Sequence, residues 1–135
     1  MTLNEFVENN AVDYSYNRIS EDKIREMEIF LKVGFGDQLK KYILCYGYLG
    51  YKYIELYGIN SFQGINSDMV KKTVWLHGYF EKTKGLIAVE DQGDGDYYLV
   101  DSNDSVYRFV ADNNELIPQD TDLFNYILNR FLSAE

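Results

Sequence analysis

The chain has 135 residues, of which 46% are hydrophobic and 26% charged, so it has the size and composition of one ordinary globular domain. A net charge of −9 disfavours direct contact with the phosphates of a nucleic acid. The single cysteine, Cys45, excludes an internal disulfide, and no apolar run is long enough to cross a membrane. The first ten residues, MTLNEFVENN, lack the basic and then apolar order of a secretory signal, so we expect a cytoplasmic protein.

The first third of the chain predicts two helices after a polar lead-in. Residues 1–19 carry scattered apolar side chains, and we expect them to be loosely docked, with at most a short helix. Ser20 has the character of an N-cap, and the helical spacing that follows it ends near Gly34. Asp37 begins a second helix, which Gly47 can close in the left-handed conformation.

In the middle of the chain the helical spacing of hydrophobic residues ends. Residues 48–59 are rich in aromatic and β-branched side chains, which favours a strand. Gly58 and Gly64 bracket an irregular stretch. Ser67 then predicts the start of a third helix, which ends near Phe80.

The last third predicts an antiparallel meander. Residues 86–89, 97–100 and 106–110 are short apolar strands, and turns rich in Asp, Asn, Ser and Gly connect them. We expect Pro118 to end the sheet and Asp122 to cap a closing helix. The order of elements predicts a single α+β domain over residues 1–135, with a mainly antiparallel sheet packed with about four helices.

The acidity of the chain is concentrated in this last third. Residues 90–122 contain ten of the 22 acids and one base, Arg108, whereas the twelve acids and twelve bases elsewhere cancel. A field of this kind attracts and steers a basic protein. The alternative is a set of solvated turns that use aspartate for local reasons.

Catalytic and metal sites fit the sequence poorly. His77 has no second histidine or nearby cysteine to complete a zinc site, and no nucleophile signature surrounds His77 or Cys45. Cys45 lies in an apolar helical stretch, where we expect a small buried side chain. Pairs of carboxylates, which a glycosidase requires, carry no information among 22 acids. We therefore expect no enzyme and no cofactor.

The acidic run from Asp91 to Asp96 resembles a calcium loop in composition only. It lacks the glycine at the sixth position and the glutamate at the twelfth that an EF-hand requires. Its glycines fit a tight hairpin with positive φ better. Weak cation binding at this run stays an open alternative.

Several short segments, taken in order, resemble the SUKH superfamily. They are SEDKI (20–24), FGDQLKKYILCYG (35–47), YIELYGI (53–59), GLIAVEDQGDGDYYLVD (85–101) and DSVYRFV (104–110), followed by a helix that contains Phe124 and Tyr126. The resemblance runs from about residue 18 to 132. The ordered set of segments carries it, not any single motif.

The resemblance implies a binding function without a cofactor. Many bacterial SUKH proteins are immunity proteins that occlude a co-encoded toxin domain, often a nuclease, inside the producing cell. Other members, including fungal ones, are interaction hubs in cell-wall regulation. We therefore expect an immunity protein, with a regulatory adaptor as the alternative.

The expected partner is a basic toxin domain, because the active face of a nuclease must attract phosphate. No membrane or nucleic-acid partner is expected, and the oligomeric state stays open. The predicted partner contacts are five aspartates and two aromatic anchors in the last third of the chain, namely Asp91, Asp94, Asp96, Asp101, Asp104, Tyr97 and Tyr107.

Overall fold

The computed structural model describes residues 1–15, 19–59 and 64–134, and in these ranges it contains five α-helices and two antiparallel sheets. The helices are α1 (Leu3–Asn9), α2 (Glu21–Leu31), α3 (Asp37–Cys45), α4 (Asp68–Tyr79) and α5 (Leu123–Leu132). The strands are β1 (Asp13–Tyr14), β2 (Leu49–Tyr51), β3 (Ile54–Glu55), β4 (Ile87–Gly93), β5 (Asp96–Val100), β6 (Ser105–Val110) and β7 (Glu115–Asp122). The predicted α+β class and antiparallel pairing are confirmed.

The starts of α2, α4 and α5 lie where local capping signals predict them. Ser20, Ser67 and Asp122 are the N-caps, and each side chain accepts a hydrogen bond from the backbone N–H three residues further on. The end of α2 differs slightly from the prediction. Lys32, at φ 58°, closes that helix two residues before Gly34.

The two sheets have the strand orders β1-β2-β3 and β4-β5-β6-β7. Residues 48–59 form two very short strands in the first sheet instead of one longer strand. Pro118 does not end the second sheet, because it lies inside β7 opposite Tyr107. β7 is the edge of the four-stranded order, and edge strands are where proline is tolerated within a sheet.

The helix at the start of the lead-in is docked onto the core, where the sequence predicted loose docking. Leu3 and Phe6 of α1 are 4% and 5% exposed. The Phe6 ring lies 5.1 Å from the ring of Tyr51 and 5.7 Å from that of Phe131, centroid to centroid. The spacing of Leu3 and Phe6 places both on one side of a helix, which is why a two-turn segment can bury an apolar side here. Residues 16–18 of the lead-in lie outside the described residues, as do residues 60–63 of the irregular stretch and residue 135.

Cys45 is exposed, contrary to the expectation of a buried side chain. It is the last residue of α3, whose buried positions are Leu39, Tyr42 and Ile43. Position 45 therefore falls on the solvent side of the helix, although apolar residues precede it in the sequence.

The core has two parts. The larger cluster joins α1, α2, α3 and α5 to both sheets. The smaller cluster lies between α4 and one face of the four-stranded sheet, and consists of Leu76, Leu86, Ala88, Tyr97, Leu99 and Phe109. The four-stranded sheet is thus covered by α5 on one face and by α4 on the other.

Candidate protein-interaction surface

The four-stranded sheet separates the acidic turns into two groups at opposite ends. At one end the β4–β5 and β6–β7 turns meet, where Ala111 N–H donates to Gly95 C=O at 3.0 Å. At the other end the β5–β6 turn meets the start of α5, where Leu123 N–H donates to Asp104 C=O at 3.0 Å. We name the first the groove end, because an open groove lies beside it, and the second the cap end, because an aspartate there caps a helix. Five residues of β5 separate them, which is about 15 Å at the usual strand rise.

Asp104, at the cap end, caps a helix that is distant in sequence. Its Oδ2 accepts the N–H of Gln38 at 2.9 Å, and its Oδ1 accepts that of Leu39 at 3.0 Å. These are orphan donors of the first turn of α3, whose own N-cap is Gly36 and has no side chain. A Cβ at position 36 would lie 2.4 Å from the Asp104 carboxylate, so only a glycine at this position leaves space for Asp104 to cap α3. Asp104 is 6% exposed, so its carboxylate lies inside the fold and not on a contact surface.

Asp101 and Tyr107 hold the same turn together. Asp101 Oδ1 accepts the backbone N–H groups of Asn103 at 2.8 Å and Ser105 at 3.0 Å. The hydroxyl of Tyr107 donates to Asp101 Oδ2 at 3.1 Å, and this bond raises the pKa of Tyr107. Asp101 and Tyr107, two more of the predicted partner contacts, therefore form hydrogen bonds within the turn itself.

Asp96 and Tyr97 also have partners within the protein, although Asp96 is half-exposed. Asp96 Oδ2 pairs with Arg108 at 2.8 Å. Tyr97 is 9% exposed and lies beneath α4, with the Trp75 ring 6.1 Å away and Lys72 Nζ 5.3 Å from its centroid. The predicted aromatic anchor is thus covered by another aromatic residue.

The exposed rings that sequence reasoning missed include three on α4 and the β2–β3 hairpin. Trp75 is 40% exposed, Tyr79 72% and Tyr53 68%. For α4 a usable signal exists in the sequence. Positions 75 and 79 fall on the helix side opposite to the core positions Val70, Thr73 and Leu76.

Asp91 and Asp94 are the two predicted aspartates that remain exposed, and both lie at the groove end. Asp94 is at the tip of the β4–β5 turn with φ 54°. Asp91 lines an open groove of about 880 Å³ between the two sheets, together with Glu55 and Asp68. The other lining residues are Ser15, Tyr48, Tyr53, Leu56, Tyr57, Gly58, Ile59, Glu90, Gln92, Gly93 and Arg130.

A buried ion pair forms the floor of this groove. Glu90 is 2% exposed, and its carboxylate receives Arg130 Nη2 at 2.6 Å and Nε at 3.0 Å. The hydroxyl of Tyr126 also donates to Glu90 Oε1, at 2.5 Å. Because Glu90 neutralises Arg130, the charge left to the groove is that of the carboxylates on its rim, Glu55, Asp68 and Asp91.

Tyr57 lines the groove together with these carboxylates. Its hydroxyl oxygen is buried and has no hydrogen-bond partner among the residues that the structure describes. Burial raises the pKa of Tyr57, and the nearby charges of Asp91, Asp68 and Glu90 raise it further. Carboxylates from both sides of the groove therefore act on one point.

A comparison with protein families matches residues 2–132 to the family model SUKH_5, described as SMI1-KNR4 cell-wall. The chain belongs to the SUKH superfamily. The match begins at α1 and runs to the end of α5, so it covers both sheets and the groove between them. A comparison with curated proteins finds no match. Membership of this superfamily supports a role in protein interaction.

The described part of this SUKH domain contains no group of three His, Cys, Asp or Glu side chains placed to hold a metal ion. The imidazole Nε2 of His77 lies 2.8 Å from the carbonyl oxygen of Leu86, so the side chain ties the end of α4 to the start of β4. Across residues 1–15, 19–59 and 64–134, every helix is too short or too polar to cross a membrane.

Proposed function

We propose that this SUKH domain is an immunity protein that binds a cognate toxin domain and neutralises it by occlusion. The observation that carries the proposal is the acidic groove at the groove end, with Glu55, Asp68 and Asp91 on its rim and its lining cation already bound to Glu90. A groove of this charge favours a basic segment, and the active face of a nuclease is basic because it must attract phosphate.

The groove also has the aromatic surface that such a contact requires. Tyr48, Tyr53 and Tyr57 line it beside the carboxylates, and Tyr53 is largely exposed. A lysine or arginine of the partner could pair with Asp91 or Asp68 and lie over one of these rings. The hairpin tip with Asp94 extends the negative potential beyond the groove and contributes to steering the encounter.

The proposed mechanism is binding alone. Inhibition by occlusion needs no catalytic group and no cofactor in the immunity protein, and it acts in the cytoplasm of the cell that makes the toxin. We place Glu55, Asp68 and the groove tyrosines in the interface instead of four residues of the sequence prediction. Of these four, Asp101, Asp104 and Asp96 already have partners for their carboxylates within the protein, and Tyr97 is buried.

A regulatory adaptor is the second candidate function. The observation that favours it is the description of the matched family as SMI1-KNR4 cell-wall. An adaptor would use the same groove for a basic segment of an endogenous protein. The two candidates differ in whether the partner is toxic when this chain is absent.

Co-expression with the product of the neighbouring reading frame tests the proposal. We expect that protein to arrest growth alone, to be harmless with this chain and to co-purify with it. Growth arrest that persists despite co-expression and co-purification would reject neutralisation. A harmless partner that still co-purifies would favour the adaptor.

A matched pair of double variants tests the surface. Asp68→Asn with Asp91→Asn removes two groove charges and keeps the side-chain oxygens. Glu21→Gln with Asp120→Asn removes two exposed charges elsewhere. The groove variant should protect cells less well than the control variant. Equal protection by the two variants at equal expression would show that the groove is not the interface.

A further inference from the structure

The outward side of α4 is a surface that the groove does not use. We name as the α4 face five residues that lie three or four positions apart on the helix, namely Lys71, Lys72, Val74, Trp75 and Tyr79. The opposite side of α4 holds its buried residues, which are Met69, Val70, Thr73 and Leu76. The helix thus has apolar side chains on two sides, of which the fold covers one.

The aromatic side chains of the α4 face pack against each other. Val74, Trp75 and Tyr79 are 44%, 40% and 72% exposed. The Trp75 ring lies 5.2 Å from the ring of Tyr79 and 6.1 Å from that of Tyr97, centroid to centroid. Rings that are already packed lose little conformational freedom when a partner binds. The α4 face is therefore a preformed surface for an apolar side chain.

The α4 face belongs to a basic segment of an acidic chain. Residues 69–89 contain four lysines and one acid, Glu81, so this segment sums to +3 and the remaining residues sum to −12. Two of the four lysines have partners within the protein. Lys84 pairs with Glu81 at 2.9 Å, and Lys82 donates to the carbonyl oxygen of Asn114 at 2.9 Å.

Lys71 and Lys72 are the other two lysines of this segment. Neither has a carboxylate within ion-pair distance among the residues that the structure describes. The Lys72 ammonium lies 4.6 Å from the Trp75 centroid and 5.3 Å from that of Tyr97. Aromatic rings attract a cation but do not neutralise it. The α4 face therefore combines two uncompensated positive charges with an apolar ring surface.

We propose that the α4 face binds an acidic segment of a protein partner, in which carboxylates flank an apolar side chain. The carboxylates pair with Lys71 and Lys72, and the apolar side chain packs on the exposed rings of Trp75 and Tyr79. A basic partner is repelled from this face by the same two lysines. The α4 face is thus a second site with a charge preference opposite to that of the groove, and it does not depend on the role of the groove.

The net charge of −9 favours a short segment over a larger anionic surface. At physiological ionic strength, charges more than about 8 Å apart are largely screened, so a bound peptide responds mainly to the lysines that it contacts. An anionic membrane is an extended plane, from which the acidic molecule as a whole is repelled. A second copy that packed through its own α4 would set lysines against lysines.

Binding of synthetic peptides, followed by the emission of Trp75, tests the proposal. Trp75 is the only tryptophan of the chain, so its emission reports on the α4 face directly. The probe is a capped hexapeptide with two glutamates on each side of a Leu-Leu pair, and the control peptide has glutamine in place of glutamate.

We expect the acidic peptide to shift the emission to shorter wavelength with a dissociation constant between about 0.1 mM and about 1 mM. The glutamine peptide should bind at least about tenfold more weakly, because it lacks the carboxylates. No change in emission with the acidic peptide up to about 10 mM, or equal affinities of the two peptides, would overturn the proposal.

A matched pair of charge-reversal variants tests the two lysines. Lys71→Glu with Lys72→Glu should weaken binding of the acidic peptide by at least about tenfold. Lys40→Glu with Lys41→Glu makes the same change of charge on α3 and should leave the affinity within about twofold of wild type. Equal losses in the two variants would mean that net charge and not the α4 face controls binding, which overturns the proposal.

A second pair of variants tests the apolar contact. Tyr79→Ala removes a largely exposed ring from the α4 face and should weaken binding by about threefold to tenfold. Ile29→Ala removes a side chain of α2 that is 78% exposed and should have no effect. Equal affinities of these two variants would overturn the apolar part of the proposed contact.

Two further samples distinguish the other possible occupants of the α4 face. One contains vesicles of anionic phospholipid, and the other contains the chain alone at up to about 1 mM. An emission shift that requires vesicles and does not occur with the acidic peptide would assign the face to a membrane. A shift that depends on the concentration of the chain alone would assign it to a second copy. Either result overturns the proposal, and we expect neither sample to shift the emission.

Discussion

The two ends of the four-stranded sheet contain the same kind of residue in the same kind of turn and use it differently. At the cap end, Asp101 and Asp104 satisfy backbone N–H groups of their own turn and of α3. At the groove end, Asp91 also accepts a backbone N–H of its own turn, that of Gly93 at 2.7 Å, but Asp91 and Asp94 are both exposed and their charge faces solvent. An aspartate of these turns is therefore a buried cap or an exposed surface charge according to what packs against it.

Asp94 and Asp104 make the contrast sharpest. Both have positive φ, 54° and 64°, so both turns require a residue that tolerates the left-handed region. Only Asp104 lies against the uncapped start of a helix. The chemical difference between them comes from α3, not from the local sequence.

The greatest loss of stability is expected from a change at Arg130, on the floor of the groove. Arg130→Met leaves the carboxylate of Glu90 buried without its cation, and we expect a loss of about 3 kcal/mol in the free energy of unfolding. Urea denaturation followed by circular dichroism measures it. Adding Glu90→Gln should recover much of the loss, because no buried charge is then left unpaired. If the double variant is less stable than Arg130→Met alone, this account of the floor is wrong.

Gly36→Ala should destabilise the cap end by roughly 2 kcal/mol, because the added Cβ would lie 2.4 Å from the Asp104 carboxylate. The same denaturation measurement applies. In an Asp104→Gly background the cost of Gly36→Ala should fall by more than half, since the obstructing group is gone. Additive effects of the two changes would contradict the close contact.

Asp104→Asn should cost about 1.5 kcal/mol, because the amide cannot accept both N–H groups of α3 as the carboxylate does. Asp94→Asn is the matched control at the groove end, and asparagine also tolerates its positive φ. We expect the control to change stability by less than about 0.5 kcal/mol. Equal losses of stability for Asp104→Asn and Asp94→Asn would show that the aspartates at the two ends do not differ in structural role.

The smallest effect is at Tyr107, whose hydrogen bond to Asp101 raises its pKa. A raised folded-state pKa contributes stability below the ordinary tyrosine pKa of about 10, and this contribution is lost as pH rises above it. Tyr107→Phe should cost about 0.5 kcal/mol at pH 7. The difference between the variant and wild type should shrink above about pH 10. A difference that grows with pH would contradict the assigned bond.

The sequence predicts the local features of this fold well. The caps at Ser20, Ser67 and Asp122 depend on a side chain and a backbone N–H three residues apart, so the information lies within one turn. Three of the four strands of the second sheet, β4, β5 and β6, were also predicted from their apolar runs and turn residues, whereas β7 was not. Pro118 was misread because its place on an edge strand depends on the topology of the whole sheet.

The candidate site was predicted only in part. The charge count identified the acidic third, but Asp104 contacts Gln38 across 66 residues, a relation that no local pattern contains. Glu55 and Asp68 lie outside that third and reach the groove only through packing of the two sheets. Trp75 covers Tyr97 because α4 packs on the sheet face that holds Tyr97, so the burial of this predicted anchor could be assigned only once that packing was known.

The rate at which this chain associates with the partner captured by co-expression, measured by stopped flow as a function of salt, shows whether the acidic groove receives that partner. We expect Asp68→Asn with Asp91→Asn to lower this rate by about threefold to tenfold at low salt and to flatten its salt dependence. The control, Glu21→Gln with Asp120→Asn, should leave both close to wild type. Equal rates and equal salt slopes for the two variants would contradict the claim that the acidic groove receives the partner.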